Sequence, residues 1–546
     1  MYEKKENDVS FFVLTVGLVG CSKNDDNVGT IQPSTPSSVT ATINYEFTGD
    51  DKATAGYAQG DITFNVTADG TYELYWADDE KALDGYYPIA TLDAKAKKDT
   101  SFTFEEQTAI PVGATSILAI EQQKEANKEN AIAVYDLPKE KQLDKKSGDM
   151  IYSFNSYFDI HIDEEHWGEN TANWWVYSEQ HWANALDFAV AKKSDFIVTS
   201  GDHVTNGNYS NLTKEWQSYE YILSQSDYVN PIWECGGNHE VEYEGLVKEE
   251  LDLYKKGTGL DSTDKTLDSE RSYYTIKEPN SGDLFIFMSL ETANYDGEYQ
   301  NFTTEQLDWL EQTLKDNYGK GYNIYLLQHA LVRGYGAGDS QDTPYYGGSL
   351  SRDVSSVARF VSMIEQYPDL MWISGHSHED YCNQYNYSDN NNTSCHMIHN
   401  SSVACPTHIV DNAIDYTLNE EQSQGYFVQV FDNAILFQGA DLVQQKIYPT
   451  YCYIINGKTA KKEVAKEEIE QTSDEVTKEL VHSAIANVRS VLGICYEYSS
   501  YDQYQSLKKC YYEYKDADLT KLSQDELTDV YSRLGYYKKA LCQIAE

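Results

Sequence analysis

Buried-strand patterns separated by helix-like segments run through residues 147–456 and set the tightest limit on the fold of this chain. The patterns are short apolar runs at 196–198, 324–327 and 370–373. Uninterrupted apolar runs of this length suit strands buried on both faces, and their alternation with helices is typical of layered α/β domains. We therefore predict an α/β domain over residues 147–456.

Two capping boxes predict helix starts, because a Ser or Thr followed three residues later by Glu or Gln can satisfy the first free backbone amides. The first, at Thr303 and Gln306, opens a helix with an apolar stripe of Leu307, Leu310 and Leu314. The second, at Ser523 and Glu526, precedes a stripe of Tyr531, Leu534 and Leu541. Residues 457–546 are rich in Lys and Glu and are predicted to form a helical accessory region.

Residues 39–138 carry a different pattern of short alternating runs, such as 42–47, 61–66 and 71–76, separated by turn residues. Alternation with period two is typical of half-buried strands. We predict a small all-β sandwich here, which could act as a spacer or as a wall beside a substrate.

The chain begins with a ten-residue apolar run, Phe11 to Gly20, which is shorter than the roughly 20 residues of a membrane-spanning helix. It suits the core of a secretory signal peptide. Leu18-Val19-Gly20-Cys21 resembles the lipobox of bacterial lipoproteins, which implies cleavage at residue 21 and lipidation of Cys21. The alternative is an ordinary signal with a chance cysteine. Residues 22–38 are predicted to form a tether. With the lipobox, they predict an exported lipoprotein of the outer membrane or cell surface, or one facing the periplasm.

The charge and the cysteine content of the chain exclude some classes of function and of metal site. Asp and Glu number 88 against 42 Lys and Arg, and the net charge of −46 disfavours nucleic-acid binding. Removing Cys21 leaves eight cysteines, which could be free thiols or disulfides such as a Cys382–Cys395 staple. Since the chain has no CxxC pair, a thiolate zinc site is not expected.

Polar, metal-binding residue types follow the predicted strands, where the ends of parallel strands form the ligand crevice of an open α/β sheet. They are Asp159, His161, Asp202, His203, Asn238, His239, Glu240, His329, His376 and His378. Two carboxylates, one amide oxygen and several imidazoles without a thiolate suit a pair of ions such as Fe, Mn or Zn. Two such ions could clamp the attacking and leaving oxygens of a displacement at phosphorus.

The ordered motifs DxH, GD, GNHE, an isolated His and GHxH resemble those of the calcineurin-like metallophosphoesterases, over roughly residues 150–450. The resemblance implies a layered β-sandwich flanked by helices, and a dinuclear centre in which a hydroxide between the ions attacks the ester. It also implies a ligand set for each ion: Asp159, His161, Asp202 and His378 for one, and Asn238, His329 and His376 for the other, with Asp202 bridging. The resemblance also implies that His239 binds no metal but stabilises the transition state or protonates the leaving oxygen, with Glu240 as its orienting partner.

The front sandwich also resembles the fibronectin- or immunoglobulin-like module of purple acid phosphatases. Those enzymes have a tyrosine ligand three residues after the bridging aspartate, where this chain has Thr205. The resemblance therefore implies a general type of site, without purple colour. His203, beside Asp202, could contact substrate, support its neighbours or face solvent. Arg333 is a candidate substrate contact, since a guanidinium matches phosphate geometry.

These features predict a metal-dependent hydrolase of small phosphate monoesters. A phosphodiesterase or nucleotidase on the same site is the alternative. A further alternative is a non-catalytic surface-binding lipoprotein that uses the fold as a scaffold.

Overall fold

A computed structural model covers the chain in segments. It describes residues 42–44, 57–78, 80–137, 150–163, 177–205, 209–240, 273–289, 292–293, 300–332, 335–338, 354–381, 386–389, 394–410, 413–415, 421–432, 434–455, 476, 478, 481, 484–485, 488, 502–515, 517 and 519–545. The predicted lipidation site Cys21, the tether and Arg333 lie outside these residues and stay predictions. Within the described segments, no helix has the length and apolar character to cross a membrane.

The front of the described chain folds into two antiparallel sheets, with strand orders β1-β2-β5 and β4-β3-β6-β7. The strands are β1 (Thr42–Asn44), β2 (Tyr57–Asn65), β3 (Gly70–Ala77), β4 (Ala90–Ala94), β5 (Asp99–Ala109), β6 (Ser116–Glu121) and β7 (Ala131–Asp136). One apolar cluster joins the sheets, and in it the rings of Trp76 and Phe104 lie 5.9 Å apart. The similarity of these two sheets to fibronectin-like modules and the boundaries of this domain remain predictions.

The following region contains two six-stranded sheets, β10-β9-β8-β21-β22-β23 and β11-β12-β15-β16-β18-β17. Its strands are β8 (Met150–Tyr157), β9 (Phe196–Ser200), β10 (Ile232–Cys235), β11 (Tyr273–Lys277), β12 (Leu284–Met288), β13 (Thr292–Ala293), β14 (Gln300–Asn301), β15 (Ile324–Gln328), β16 (Leu370–Ser374), β17 (Tyr387–Ser388), β18 (His396–His399), β19 (His408–Val410), β20 (Ala413–Asp415), β21 (Gln424–Phe431), β22 (Ile435–Asp441) and β23 (Lys446–Ile455). Its helices are α1 (Ser178–Lys192), α2 (Tyr209–Gln225), α3 (Thr304–Asn317) and α4 (Val354–Ile364). Strands β8, β9 and β10 are mutually parallel, as are β12, β15, β16 and β18.

Alternate residues of the second sheet face two different cores, as the two-residue period of a strand requires. In β15, Tyr325 and Leu327 join the cluster between the two sheets, whereas Ile324 and Leu326 join a cluster with α3 and α4. The three predicted apolar runs are all buried strands, and Thr303 caps α3 with a complete capping box. The α/β layered fold predicted from the sequence is confirmed.

The end of the chain is helical, with α5 (Asp502–Tyr514), a 3₁₀ turn at Leu519–Lys521 and α6 (Gln524–Ala545). The Ser523 amide donates to Glu526 Oε2 at 2.7 Å and the Glu526 amide donates to Ser523 Oγ at 3.4 Å, so the second capping box is present. Leu534 and Leu541 are buried in one cluster and Tyr531 packs against it, which confirms the predicted stripe.

The front sheets contact the edge of the first six-stranded sheet. The Tyr87 amide donates to the Ile447 carbonyl at 3.0 Å, and the rings of Tyr87 and Tyr448 stack 5.5 Å apart. The Tyr87 hydroxyl donates to Asp441 at 2.8 Å. These contacts join the front sandwich to strands β22 and β23.

Candidate metal centre

The polar residues predicted to carry the chemistry lie just past the carboxyl ends of five parallel strands. Asp159 and His161 follow β8, Asp202 follows β9, and Asn238 follows β10. The other sheet contributes His329 after β15, and His376 and His378 after β16. Packing of the two sheets brings both sets of strand ends to one buried place, although their residues are up to about 220 positions apart in the sequence.

Asp159, His161 and His378 form the first ligand group, whose potential ligand atoms lie within 4.8 Å of one another. The Nε2 atoms of His161 and His378 are 3.2 Å apart, and His378 Nε2 is 3.3 Å from Asp159 Oδ1. Asp159 and His161 are buried, and the side chain of His378 is slightly exposed.

Asp202, His329 and His376 form the second ligand group. His329 Nε2 lies 3.0 Å from Asp202 Oδ2 and 3.0 Å from His376 Nδ1. Asp202 Oδ2 is also 3.7 Å from His161 Nε2, so this one oxygen faces both groups. That position agrees with the bridging role that the resemblance implies for Asp202.

Asn238 and His239 lie at the edge of the cluster, where His239 also completes a third, overlapping group of potential ligands with His161 and Asp202. Asn238 is buried, and Asp202 Oδ1 accepts the backbone N–H of the next residue, His239, at 3.0 Å. The His239 side chain is 23% exposed, more than those of the ligand-group residues, and its Nε2 is 3.9 Å from Asp202 Oδ2. The Thr205 carbonyl lies 2.5 Å from His239 Nδ1 and can only accept, so Nδ1 carries a proton and Nε2 faces the cluster.

Strained backbone is concentrated at the candidate ligands. Nine non-glycine residues in the described segments have positive φ, and five are ligand-group residues: Asp159, His161, Asp202, His376 and His378. This left-handed conformation costs a non-glycine residue about 1–2 kcal/mol. Such strain persists only where the surroundings enforce it, and it is typical of functional sites.

Backbone carbonyls orient two of the histidines. His329 Nδ1 donates to the Ser200 carbonyl at 2.8 Å, and His378 Nδ1 donates to the Cys405 carbonyl at 3.1 Å. Donation from Nδ1 fixes the tautomer of the neutral ring, so each neutral imidazole presents the lone pair of Nε2 to the cluster, as metal-bound histidines require.

A buried loop at residues 400–407 supports the first ligand group and was not predicted. The Asp159 carbonyl accepts the Ser402 hydroxyl at 2.9 Å and the Ala404 amide at 3.0 Å. The loop lacks charged residues and a recognisable motif, so no signal in the sequence pointed to it. In this loop Cys405 is a free thiol, as is Cys395, which argues against the Cys382–Cys395 staple.

Glycines next to the ligands permit close approach between loops. Gly201 has φ +86°, and a Cβ there would come within 2.6 Å of Gly237 Cα. At Gly375 a Cβ would lie 2.7 Å from Asp159 Oδ2 and 2.6 Å from the ring of Phe158. Both contacts are closer than packed atoms tolerate, so a side chain at either position would push the ligand loops apart.

Glu240 and His203 are buried beside the second group and contact each other. Glu240 accepts hydrogen bonds from the amides of Asp202, His203 and Gly237, so it supports the loops of the second group, whereas His239 Nδ1 contacts Thr205. His203 is fully buried, with its ring nitrogens 2.6 Å from Thr199 Oγ1 and 3.2 Å from Glu240 Oε1. A side chain enclosed in this way suits the supporting role for His203 better than a substrate contact.

The cluster keeps its carboxylates ionised. Burial alone would raise the pKa of Asp202, but the neighbouring His329 and His239 rings bring that pKa well below its ordinary value. Burial lowers the pKa of His161, and the His239 ring lowers it further, so the His161 ring stays neutral. Burial also lowers the pKa of His329, but Asp202 and Asp159 outweigh it and raise that pKa to about 9. A proton on His329 and a cation therefore satisfy the same carboxylates and compete.

The residues fit a pair of metal ions. Asp159 Oδ1 is buried and has no hydrogen-bond donor among the described residues, yet three imidazole Nε2 atoms lie 3.3, 3.7 and 3.9 Å from it. Two ligand atoms, each about 2.1 Å from one ion, lie about 3.0–3.4 Å apart in octahedral or tetrahedral coordination. The shortest distances in both groups fall in this range, so each group could hold one ion.

Part of the chain is similar to known proteins. Residues 159–380 match the family model described as calcineurin-like phosphoesterase. None of the curated proteins matches the chain. A solved dimetal phosphatase from Danio rerio is similar, with 13% identity and a TM-score of 0.39 over 56% of this chain and 99% of that one.

Two further solved structures are similar. A purple acid phosphatase from yellow lupin (Lupinus luteus) seeds has 11% identity and a TM-score of 0.37 over 73% of this chain and 72% of that one. A calcineurin-like phosphoesterase from Bacillus subtilis has 13% identity and a TM-score of 0.26 over 51% and 91%. The family match covers residues 159–380, which include all the candidate metal ligands.

Proposed function

We propose that this chain is an exported, lipid-anchored phosphoesterase that uses two metal ions to hydrolyse small phosphate monoesters. The observation that carries the catalytic part is the convergence of two ligand groups on the shared oxygen Asp202 Oδ2 at the ends of five parallel strands. Asp159, His161, His378 and Asp202 would hold one ion, and Asn238, His329, His376 and Asp202 the other.

Two ions held there would lower the pKa of a water so that it can attack phosphorus, and would offset the charge of the ester oxygens. The protein's own groups hold the metal ligands in fixed positions. Asp202 keeps the two ligand groups together, and the carbonyls of Ser200 and Cys405 hold two imidazoles with Nε2 inward. These fixed directions limit the reorganisation needed during the reaction.

His239 is the group best placed to protonate the leaving oxygen. Its Nδ1 donates to Thr205, so the imidazolium form carries the proton that it would transfer on Nε2, which faces the cluster, and its partial exposure allows contact with a substrate. Imidazole is a common general acid near neutral pH. Arg333, four residues after His329, is proposed as a phosphate contact on the basis of the sequence alone.

The activity is tested with the protein lacking residues 1–21, purified without metal and then supplied with Mn, Zn or Fe. A chromogenic phosphomonoester and the matching diester are assayed in parallel, with Asp159→Asn prepared identically to reveal contaminating phosphatases. Monoester turnover that a chelator removes and metal restores supports the proposal. Diester preference would favour the phosphodiesterase alternative, and an inactive protein without bound metal would favour the scaffold alternative.

The export proposal rests on residues 1–38. In a bacterial host, the full chain should incorporate labelled palmitate and fractionate with membranes. Cys21→Ala should lose both properties, because acyl chains on this residue would be the anchor. Labelling that persists in Cys21→Ala would contradict lipidation at this position.

A further inference from the structure

Glu240 is a buried carboxylate beside the candidate metal centre that belongs to neither ligand group. Its Oε2 accepts the backbone N–H groups of Gly237 at 2.6 Å and Asp202 at 3.0 Å. Its Oε1 accepts the backbone N–H of His203 at 2.6 Å and lies 3.2 Å from His203 Nδ1. Four donors from two loops therefore surround one side chain, as a buried carboxylate requires.

These hydrogen bonds join the loops that follow two neighbouring strands. Asp202 and His203 follow β9, whereas Gly237 and Glu240 itself follow β10. The β9 and β10 strands are parallel and paired as far as Ser200 and Cys235, and Glu240 extends this pairing beyond the last ladder position.

The direction of the Asp202 carboxylate depends on this junction. Asp202 has φ +54°, a conformation that its surroundings must enforce. The backbone N–H of His239, on the β10 loop, holds Asp202 Oδ1 at 3.0 Å. Oδ2 then faces His329 at 3.0 Å. A shift of one loop relative to the other would turn Oδ2 away from the point where the two ligand groups meet.

We propose that Glu240 is a positioning residue that locks the β9 and β10 loops together and thereby sets the metal affinity of the centre through Asp202. This inference rests on the proposed function only in requiring that the centre binds metal. It assigns Glu240 no contact with metal or substrate.

Glu240→Gln is the most direct variant, because it keeps the size of the side chain. A carboxamide has one acceptor oxygen and an NH₂ group that only donates. In either orientation the NH₂ group meets backbone N–H groups, either those of Gly237 and Asp202 or that of His203. The variant therefore breaks one half of the junction.

Glu278→Gln is the matched control. Glu278 is also buried and accepts two backbone N–H groups, from Asn280 at 2.9 Å and Ser281 at 2.6 Å. These bonds lie within the turn that joins β11 to β12, before the start of β12 and so at the end of the sheet opposite the metal centre. Its loss should lower the melting temperature without changing metal binding.

The experiment is a calorimetric titration of metal-free protein with Mn or Zn, combined with melting temperatures with and without metal. We expect Glu240→Gln to weaken metal binding about 10- to 100-fold, the usual effect of losing a residue that orients metal ligands. The metal-dependent rise in melting temperature should shrink accordingly. Saturating metal should restore most of kcat, which a generally misfolded variant would not show.

Wild-type metal affinity in Glu240→Gln, with only a lower melting temperature as in Glu278→Gln, would overturn the inference. If Glu240→Gln does not fold, Glu240→Asp replaces it: this carboxylate is one methylene shorter and cannot reach both loops, so its metal affinity should also fall. Wild-type protein that binds no metal would instead refute the proposed function.

Discussion

The two ligand groups are fixed by different means. In the first, the backbone of Asp159 and the ring of His378 are held by one buried uncharged loop, through Ser402, Ala404 and Cys405. In the second, the Asp202 backbone is held by the carboxylate of Glu240. One group is positioned by packed backbone and the other by a buried charge.

The two carboxylates, by contrast, are held alike. One oxygen of each accepts a backbone amide at 3.0 Å: Asp202 Oδ1 from His239, and Asp159 Oδ2 from His376. The other oxygen of each faces imidazoles of the ligand groups. Such a buried oxygen is costly unless a cation or proton satisfies it. The comparison teaches that the two groups differ in how their backbone is supported, and that both leave one carboxylate oxygen for an ion.

The largest expected effect comes from replacing Asp202, whose Oδ2 atom faces both ligand groups. Asp202→Asn should lower the rate on the order of 10³-fold, because Oδ2 faces histidines of both groups. Elemental analysis should find less than the wild-type metal content. Asp195→Asn is the control: its carboxylate accepts the Ser153 amide at 2.8 Å, just before the start of the same strand β9. Full metal content and rate in Asp202→Asn would contradict a shared ligand.

Removing His239 should separate proton transfer from metal binding. His239→Ala should lose about 10²- to 10⁴-fold in rate on alkyl phosphates, whose leaving oxygen needs a proton. Nitrophenyl phosphate should lose much less, and metal content should not change. The same loss for both esters would argue that His239 acts in another way.

A further variant should lower the metal affinity of the first ligand group alone. Ser402→Ala removes the hydroxyl that donates to the Asp159 carbonyl and should weaken one of the two metal sites about tenfold. A titration should then show one weakened and one normal site. Ser423→Ala is the control, since the Ser423 hydroxyl donates at 2.7 Å to Val403 of the same loop without touching a ligand. Equal weakening of both sites would show that the groups are not independently supported.

The last expected effect, which leaves the rate and metal content of the loaded protein unchanged, is on the pH dependence of the metal-free protein. His329 has its pKa raised to about 9 from an ordinary value of 6.5. Its contribution to stability is therefore complete below about pH 6.5 and is lost as the pH rises through 9, by up to about 1.4 kcal/mol per pH unit. Unfolding of metal-free protein from pH 6.5 to 9 should show this decline.

His329→Gln should flatten the decline, and bound metal should also remove it because the ion replaces the proton. If metal-free wild-type protein shows no greater loss of stability than His329→Gln over this range, the two carboxylates do not hold a proton on His329.

Much of this arrangement could be predicted from the sequence. The run at 370–373 predicted a buried strand because its residues are apolar on both faces, and β16 is that strand. The resemblance of the ordered motifs implied seven ligands, and the structure brings six of them into two groups and places Asn238, which is buried, next to His239.

The hydrogen bonds that hold these ligands in position could not be predicted. Glu240 was expected to orient His239 because the two are adjacent in the sequence, but its partners include Asp202, 38 positions away. The Ser402 hydroxyl reaches the Asp159 carbonyl across 243 positions. Neither contact leaves a local pattern, because a serine or a glutamate has many potential partners until the chain is packed.

The sequence by itself determined the residue types of the centre, their order and the strands that precede them, because strand periodicity and motif spacing are local properties. Only the tertiary structure decided that Asp202 Oδ2 faces both groups, that Thr205 orients His239 and that Glu240 joins two loops. These are contacts between distant segments, and they depend on how two sheets pack and on backbone conformations that packing alone sustains.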